Sequence, residues 1–314
     1  MSEPLLSLSN VRVFYGDFLA VDGVSFELRA GDLLGLIGPN GAGKTTTLRA
    51  SAGLQPISAG SVRVLGADVF RDTMRVGHHI GFTPDNPPLY DTLLCEDYLR
   101  FIAKCYGLPR SLAEERIDHW LEMLWLTEKK RAKIGELSRG MKQRLGVART
   151  LLPDPHVVLL DEPSGGLDPA GRVQFRRLLA DLRDQGKAII VSSHILADLA
   201  EYCTHVAIVG HGRLLRFGTV AQIVSDQQRV DYEIHLARRI DDLPTRLSRL
   251  PVFEQVADLR VDGDLVRFAY EPDREAAARL LRALVEEGLP VAEFRVSRPD
   301  LEQAYLRAGV GQVD

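Results

Sequence analysis

The stretch that decides the fold is LLGLIGPNGAGKTTTLRASAGL, residues 33–54. The run DLLGLIG, Asp32–Gly38, is short, mostly apolar and bounded by glycines, which predicts a buried parallel strand. Thr45–Ala52 is predicted to form the helix that follows. Between them, residues 38–45 match the phosphate-loop pattern G-x-x-x-x-G-K-[ST]. The flanking strand and helix disfavour the alternative, a glycine-rich turn with an incidental lysine.

The residue types in this loop suit a nucleoside triphosphate. Glycines let backbone N–H groups curl around phosphate oxygens, and the helix N-terminus adds partial positive charge. We expect Lys44 to reach the β- and γ-phosphates and the Thr45 hydroxyl to bind Mg²⁺. The residues predicted to bind the nucleotide here are Gly38, Pro39, Asn40, Gly41, Ala42, Gly43, Lys44, Thr45 and Thr46.

A second apolar run, Val157–Leu160, is followed directly by two acidic residues, Asp161 and Glu162. It predicts another buried strand, and open α/β sheets bind ligands at the carboxyl ends of such strands. We therefore expect Asp161 to hold Mg²⁺ through water and Glu162 to orient or deprotonate the attacking water. By itself the pattern also fits a strand that enters an acidic turn, but the phosphate loop in the same chain disfavours that alternative.

A third segment, GELSRGMKQRLGVARTLL at Gly135–Leu152, has apolar residues at helical spacing. Ser138 lies at its start and is predicted to cap the helix, whose N-terminus would form another anion site. Periodicity alone favours an ordinary amphipathic helix with a basic outer face.

Taken in order, these segments resemble the ATP-binding cassette (ABC) ATPases over about residues 5–220. The segment LSRGMKQR, Leu137–Arg144, resembles the family's signature, in which Ser138 and Gly140 would touch the γ-phosphate of ATP. The segment VVLLDEP resembles the family's acidic strand and implies that Glu162 is the catalytic carboxylate.

Three shorter segments extend the resemblance. Tyr15 in VFYG resembles the aromatic residue that stacks on adenine. The segment SGGLD, Ser164–Asp168, resembles the loop that communicates across the family's dimer. The segment VSSH places His194 like the family's switch histidine, which implies a catalytic contact with the γ-phosphate.

The chain departs from the family pattern in two places. Asp85 follows IGFTP, where the family usually has glutamine, and Arg139 and Met141 replace a glycine and the glutamine of L-S-G-G-Q. A carboxylate at position 85 would still reach the metal, although it adds a charge and lacks an amide donor. The resemblance therefore implies a working ATPase with altered tuning, similar to the cassettes of ABC-2-type exporters.

The implied fold for residues 1–222 is α/β, the P-loop NTPase fold of an ABC cassette. It would contain a mostly parallel core sheet, an antiparallel β flap over residues 5–31 and a helical subdomain over about residues 92–152. ATP and Mg²⁺ are the implied ligands. Two copies would face head to tail around two ATP molecules. The junction near Asp85–Leu94 would form the groove for a coupling helix of a separate transmembrane permease.

The pattern changes after about residue 222. Residues 223–314 predict a βαββαβ arrangement and a last helix, PDLEQAYLRAG, which together form a small α+β ferredoxin-like domain. Its ending resembles the tail of many ABC-2-type exporter cassettes. The residues expected on the buried face of its main helix are Ala277, Leu280, Leu281 and Leu284. Since no catalytic motif appears, we favour a structural or dimerising role over substrate sensing.

Composition limits the possible partners and the location. The 314 residues carry a net charge of −4, so nucleic acid is not an expected partner. No apolar run approaches the roughly 18 residues of a membrane span, and the N-terminus lacks the features of a signal peptide. We expect a cytoplasmic protein that is peripheral on the cytoplasmic face of the membrane.

Three functions compete on these observations. The leading one is the ATP-hydrolysing motor subunit of an ABC transporter, driven by ATP-dependent dimer closure and opening. An ABC ATPase that acts on nucleic acid or ribosomes is disfavoured, because the chain has one cassette and no long coiled coil between Lys44 and Ser138. The third possibility is a regulatory nucleotide switch with little hydrolysis, and it is suggested by Asp85 and the altered signature.

Overall fold

The structure is a computed structural model that describes residues 3–193, 199, 201–225, 230–271, 274–296 and 305. The described chain divides into two compact units between Val220 and Ala221. Each unit has its own cluster of buried apolar side chains. None of the helices in the described ranges combines the length and the apolarity that a membrane crossing requires.

The core sheet of the first unit has six strands in the order β10-β9-β3-β8-β7-β6. Its strands are β3 (Leu33–Ile37), β6 (Ile80–Thr83), β7 (Val157–Asp161), β8 (Ala188–Ser193), β9 (His205–Gly210) and β10 (Arg213–Thr219). All neighbours are parallel except β9 and β10. Every residue of β3, β7 and β8 is buried, and β3 and β7 confirm the buried parallel strands predicted from the two apolar runs.

The flap is a separate antiparallel sheet in the order β2-β1-β4-β5. It consists of β1 (Leu6–Tyr15), β2 (Phe18–Leu28), β4 (Ala59–Val64) and β5 (Ala67–Asp68). The flap is therefore larger than residues 5–31, because β4 and β5 add a second hairpin to it. Its buried side chains join those of the core sheet in one apolar cluster, which holds the two sheets together.

The helices of the first unit are α1 (Lys44–Ser51), α2 (Thr73–Val76), α3 (Cys95–Cys105), α4 (Arg110–Met123), α5 (Arg139–Leu151) and α6 (Pro169–Asp184). Helix α7 (Val220–Ser225) spans the boundary, and all of it except Val220 belongs to the second unit. Helices α3, α4 and α5 pack on one another and form the helical subdomain, together with short 3₁₀ turns at Thr127–Lys129 and Ile134–Glu136. Ser138 precedes α5, and its Oγ accepts a hydrogen bond from the Met141 N–H at 3.3 Å. The predicted helix cap is thus confirmed.

The second unit has the chain order β11 (Val230–Leu236), α8 (Leu243–Ser248), a 3₁₀ turn at Pro251–Gln255, β12 (Ala257–Asp262), β13 (Leu265–Tyr270), α9 (Arg274–Glu286) and β14 (Val291–Val296). Its strands lie antiparallel in the order β12-β13-β11-β14, which confirms the ferredoxin-like arrangement. The buried residues of α9 are Ala276, Leu280 and Leu284, whereas Ala277 and Leu281 are only half-buried. Except for Tyr305, the predicted last helix lies outside the described residues.

Candidate functional site

A cleft of about 350 Å³ lies where β3 and β7 end, between the phosphate loop and the flap. Its lining residues are Tyr15, Phe18, Ala20, Asn40, Gly41, Ala42, Gly43, Lys44, Thr45, Thr46, Asp85, Asp161 and Glu162. The structure therefore brings most of the predicted nucleotide and metal residues together. Gly38 and Pro39 stand at the start of the loop and do not line the cleft. We call this space the nucleotide cleft.

The Lys44 side chain is hydrogen-bonded to the backbone of its own phosphate loop. Its Nζ donates hydrogen bonds to the carbonyl oxygens of Gly38 at 2.7 Å and Pro39 at 3.1 Å. Burial lowers the pKa of Lys44, while the nearby Glu162 and Asp161 carboxylates raise it. Two backbone carbonyl oxygens thus hold the ammonium group of a residue that lines the cleft.

Close packing explains the glycines at two loop positions. A Cβ at Gly38 would lie 2.4 Å from the Val209 carbonyl oxygen. Gly43 has a φ of +99°, and a Cβ there would lie 2.7 Å from the Ala20 carbonyl oxygen. Any larger residue would push the loop away from β9 or from the flap.

Asp161 is buried at the end of β7, and each of its carboxylate oxygens accepts a hydrogen bond. Its Oδ2 accepts from Thr45 Oγ1 at 2.7 Å, and its Oδ1 accepts from Ser192 Oγ at 2.6 Å. Carboxylate and hydroxyl oxygens are ligands that Mg²⁺ prefers, with phosphate and water oxygens completing its shell. The described residues contain no group of three or more His, Cys, Asp or Glu side chains arranged to hold a metal. The Thr45 hydroxyl and the Asp161 carboxylate are thus oxygen groups of the kind that suits Mg²⁺.

Glu162 follows β7 in a left-handed conformation, with a φ of +48°. Its N–H donates to Ser192 Oγ at 3.0 Å, and its carbonyl oxygen accepts from the Gly165 N–H at 3.0 Å. These bonds fix the backbone, so the side chain projects from a rigid turn into the nucleotide cleft. Ser192 thus contacts both Asp161 and Glu162. In the sequence, the one signal for this role was that Ser192 lies just before His194.

A second cleft, also of about 350 Å³, lies around the N-terminus of α5. It is lined by Ser138, Gly140, Arg144, Gly166, Leu167, Asp168, Ala170, Gly171 and Gln174, and we call it the signature cleft. No residue lines both clefts. Within one copy, the structure therefore does not bring Ser138 and Gly140 to the lysine of the phosphate loop. His194 lies outside the described residues.

Comparison with known proteins identifies the family. The family described as ABC transporter matches residues 21–165. An uncharacterized ABC transporter ATP-binding protein of Bacillus subtilis, YhcH, is 33% identical over 97% of this chain and 95% of its own length. The chain belongs to the ABC transporter ATP-binding proteins. It is an ABC ATPase, and ATP is the nucleotide that it binds and hydrolyses.

Two further likenesses cover the chain to different extents. The Nod factor export ATP-binding protein I of Ralstonia nicotianae is 32% identical over 98% of this ABC protein and 94% of its own length. The solved structure of an ATP-binding subunit of an ABC transporter is 29% identical, with a TM-score of 0.67 over 71% of this chain and 92% of its own. The likeness confirms the predicted cassette fold.

Two aromatic residues, Tyr15 and Phe18, line the nucleotide cleft of this ABC protein. Tyr15 ends β1 and is paired with Phe18, the first residue of β2, across a tight turn. The Tyr15 hydroxyl donates to Gln55 Oε1 at 3.1 Å, which orients the ring. No sequence motif pointed to Phe18, although an aromatic residue directly across a hairpin turn from Tyr15 was a usable signal.

We expect Tyr15→Ala to weaken ATP binding about tenfold, because base–aromatic stacking contributes about 1–3 kcal/mol per base. Tyr15→Phe keeps the ring and is expected to stay within about twofold of the wild type. Isothermal titration with ATP measures both. Phe14→Ala is the matched control, since Phe14 is 44% exposed against 46% for Tyr15 but does not line the cleft. An equal loss in the Phe14 variant would contradict a stacking role.

Proposed function

We propose that this ABC ATPase is the motor subunit of an exporter and acts on a separate transmembrane permease of ABC-2 type. The observation that carries the proposal is the nucleotide cleft, where Lys44, the Thr45–Asp161 pair and Glu162 meet. Export is supported by the full-length similarity to a Nod factor export ATP-binding protein.

In the proposed reaction, the phosphate loop and Lys44 bind the β- and γ-phosphates of ATP. Thr45 and Asp161 would hold Mg²⁺, which neutralises charge on the phosphate oxygens. Asp85 lines the same cleft and would be a further carboxylate ligand for the ion. Glu162 orients a water molecule toward the γ-phosphorus and accepts its proton. His194 remains a proposed γ-phosphate contact.

The separation of the two clefts supports a head-to-tail dimer. Because Ser138 and Gly140 do not line the nucleotide cleft of their own copy, a second copy would have to supply them. The capped N-terminus of α5 would then face the γ-phosphate, where its partial positive charge favours an anion. Loss of that phosphate removes the group that bridges the two copies, so hydrolysis reopens the dimer.

A third cleft, of about 340 Å³, lies between the core and the helical subdomain. It is lined by Ala52, Leu54, Gly77, Ile80, Gly81, Phe82, Ile102, Tyr106, Arg149 and Thr150. We propose it as the docking groove for a permease helix, since a mostly apolar groove suits the apolar face of a helix. The Asp85–Leu94 loop, where the sequence placed the groove, contributes none of these lining residues.

We expect Leu54→Glu to abolish co-purification with the permease while ATP hydrolysis by the isolated subunit stays near the wild-type rate. The exposed Leu54 side chain borders the groove, and a carboxylate there would oppose apolar docking. Tagged pull-down from membranes co-expressing the permease gives the measurement. Met74→Glu is the control, because Met74 is also exposed but lies outside the groove. Wild-type recovery of the permease by the Leu54 variant would refute this docking site.

A phosphate-release assay separates the motor from a regulatory nucleotide switch. A motor subunit turns over many ATP molecules per copy, whereas a switch would hydrolyse about one and stop. Sustained release by the purified protein, stimulated when the permease is present, supports the proposed function. Release that ends after one turnover would favour the switch.

A further inference from the structure

Two of the three residues that depart from the family pattern, Asp85 and Arg139, lie against each other. Asp85 follows β6 and lines the nucleotide cleft, and Arg139 is the first residue of α5. Arg139 Nη2 donates to Asp85 Oδ1 at 3.4 Å. The pair therefore links the metal side of the nucleotide cleft to the helix that carries Ser138 in the same copy.

The loop at Ser164–Asp168 lies directly beside this pair. A Cβ at Gly165 would lie 3.6 Å from Asp85 Oδ1, and a Cβ at Gly166 would lie 3.6 Å from Arg139 Cγ. Both distances are ordinary contact distances, so each glycine of the loop is a direct neighbour of one member of the pair. The loop itself borders the signature cleft, so the pair lies at the boundary between the two clefts.

The Asp85–Arg139 pair affects the balance of charge in the nucleotide cleft. Asp85, Asp161 and Glu162 are three carboxyl groups that line one cleft, where Lys44 is the cation of the phosphate loop. Asp161 is committed to the hydroxyls of Thr45 and Ser192. Asp85 instead has a guanidinium partner, which competes with any metal ion for its Oδ1.

We propose that Arg139 is a positioning residue that acts through Asp85 and sets how strongly the nucleotide cleft attracts Mg²⁺. Arg139 and the ion compete for one carboxylate, so Mg²⁺ loading loosens the tie between the cleft and α5. This inference rests on the proposed Mg²⁺–ATP site. The Asp85 and Arg139 side chains are 50% and 73% exposed, so solvent screens the pair and the expected effects are a few-fold.

The test is a double-mutant cycle read by nucleotide binding. A fluorescent trinitrophenyl-ATP is bound to the full-length protein, and the Mg²⁺ concentration at half-maximal signal is measured without turnover. Arg139→Ala frees Asp85 and is expected to lower this midpoint about threefold. Asp85→Asn is expected to raise it about threefold. In the Asp85→Asn background, Arg139→Ala is expected to change nothing further, because its partner carboxylate is gone.

Two variants act as controls for folding and for general charge. Lys142→Ala removes a cation from the same helix, where Lys142 pairs with Asp91 at 2.8 Å and neither residue lines the nucleotide cleft. Its midpoint is expected to match the wild type, as is that of Arg139→Lys. An unchanged Arg139→Ala midpoint, or the same shift with Asn at position 85, would overturn the inference. Failure of the wild type to bind the probe would instead refute the nucleotide site itself.

Discussion

Replacing Glu162 with glutamine is expected to lower ATP turnover by at least about 100-fold while ATP still binds, since positioned general bases contribute about 10²–10⁴-fold. Glutamine has nearly the same shape but cannot accept the proton of the attacking water. The backbone bonds of residue 162 to Ser192 and Gly165 do not involve the side chain, so the turn is expected to survive. The loss therefore falls on the chemical step.

The same variant tests the proposed dimer. With Mg²⁺ and ATP it is expected to accumulate as a closed dimer, visible as a doubled mass in light scattering after size-exclusion chromatography. Glu122→Gln provides the matched control, because Glu122 is an exposed glutamate on α4 that lines neither cleft. A Glu162→Gln protein with at least half of the wild-type phosphate release would rule out the assigned role.

Lys44→Ala is expected to raise the Kd for ATP at least about 100-fold. The variant loses a buried cation that we propose to bind the phosphates, and removing one partner of such a charge pair costs about 2–5 kcal/mol. It also loses the two bonds to Gly38 and Pro39 that hold the loop together. Isothermal titration with ATP measures the affinity, and thermal melting without nucleotide checks the fold.

A second substitution separates the two roles of Lys44, which are to bind phosphate and to hold the loop together. Lys44→Gln keeps a donor for the loop carbonyl oxygens but removes the charge, so it is expected to bind ATP nearly as poorly as the alanine variant. If Lys44→Gln instead bound ATP like the wild type, Lys44 would serve as a strut for the loop rather than as a phosphate ligand.

Local sequence patterns predicted the continuous parts of the site. The phosphate loop, the acidic end of β7 and the Ser138 cap each depend on a few neighbouring residues, and the structure shows all three as expected local features. The βαββαβ order likewise led directly to the antiparallel sheet of the second unit.

Contacts between distant segments were not predictable in the same way. Ser192 reaches Asp161 from a neighbouring strand, and Arg139 meets Asp85 across a separation of 54 positions. The second flap hairpin, β4 and β5, has no motif of its own and is recognisable only through its pairing with β1. Such contacts depend on how the sheet and the helical subdomain come together, and no single sequence window records that.

The absence of any shared residue between the nucleotide and signature clefts has a kinetic consequence under the proposed mechanism. A single subunit then cannot complete an ATP site by itself. The rate of ATP hydrolysis should therefore be second order in subunit concentration, so the specific activity should fall on dilution. Tethering two subunits to one membrane assembly raises their effective concentration without any new contact at the ATP site. Binding of two subunits to one membrane assembly would thus be enough to start ATP turnover, and free subunits would hydrolyse little ATP.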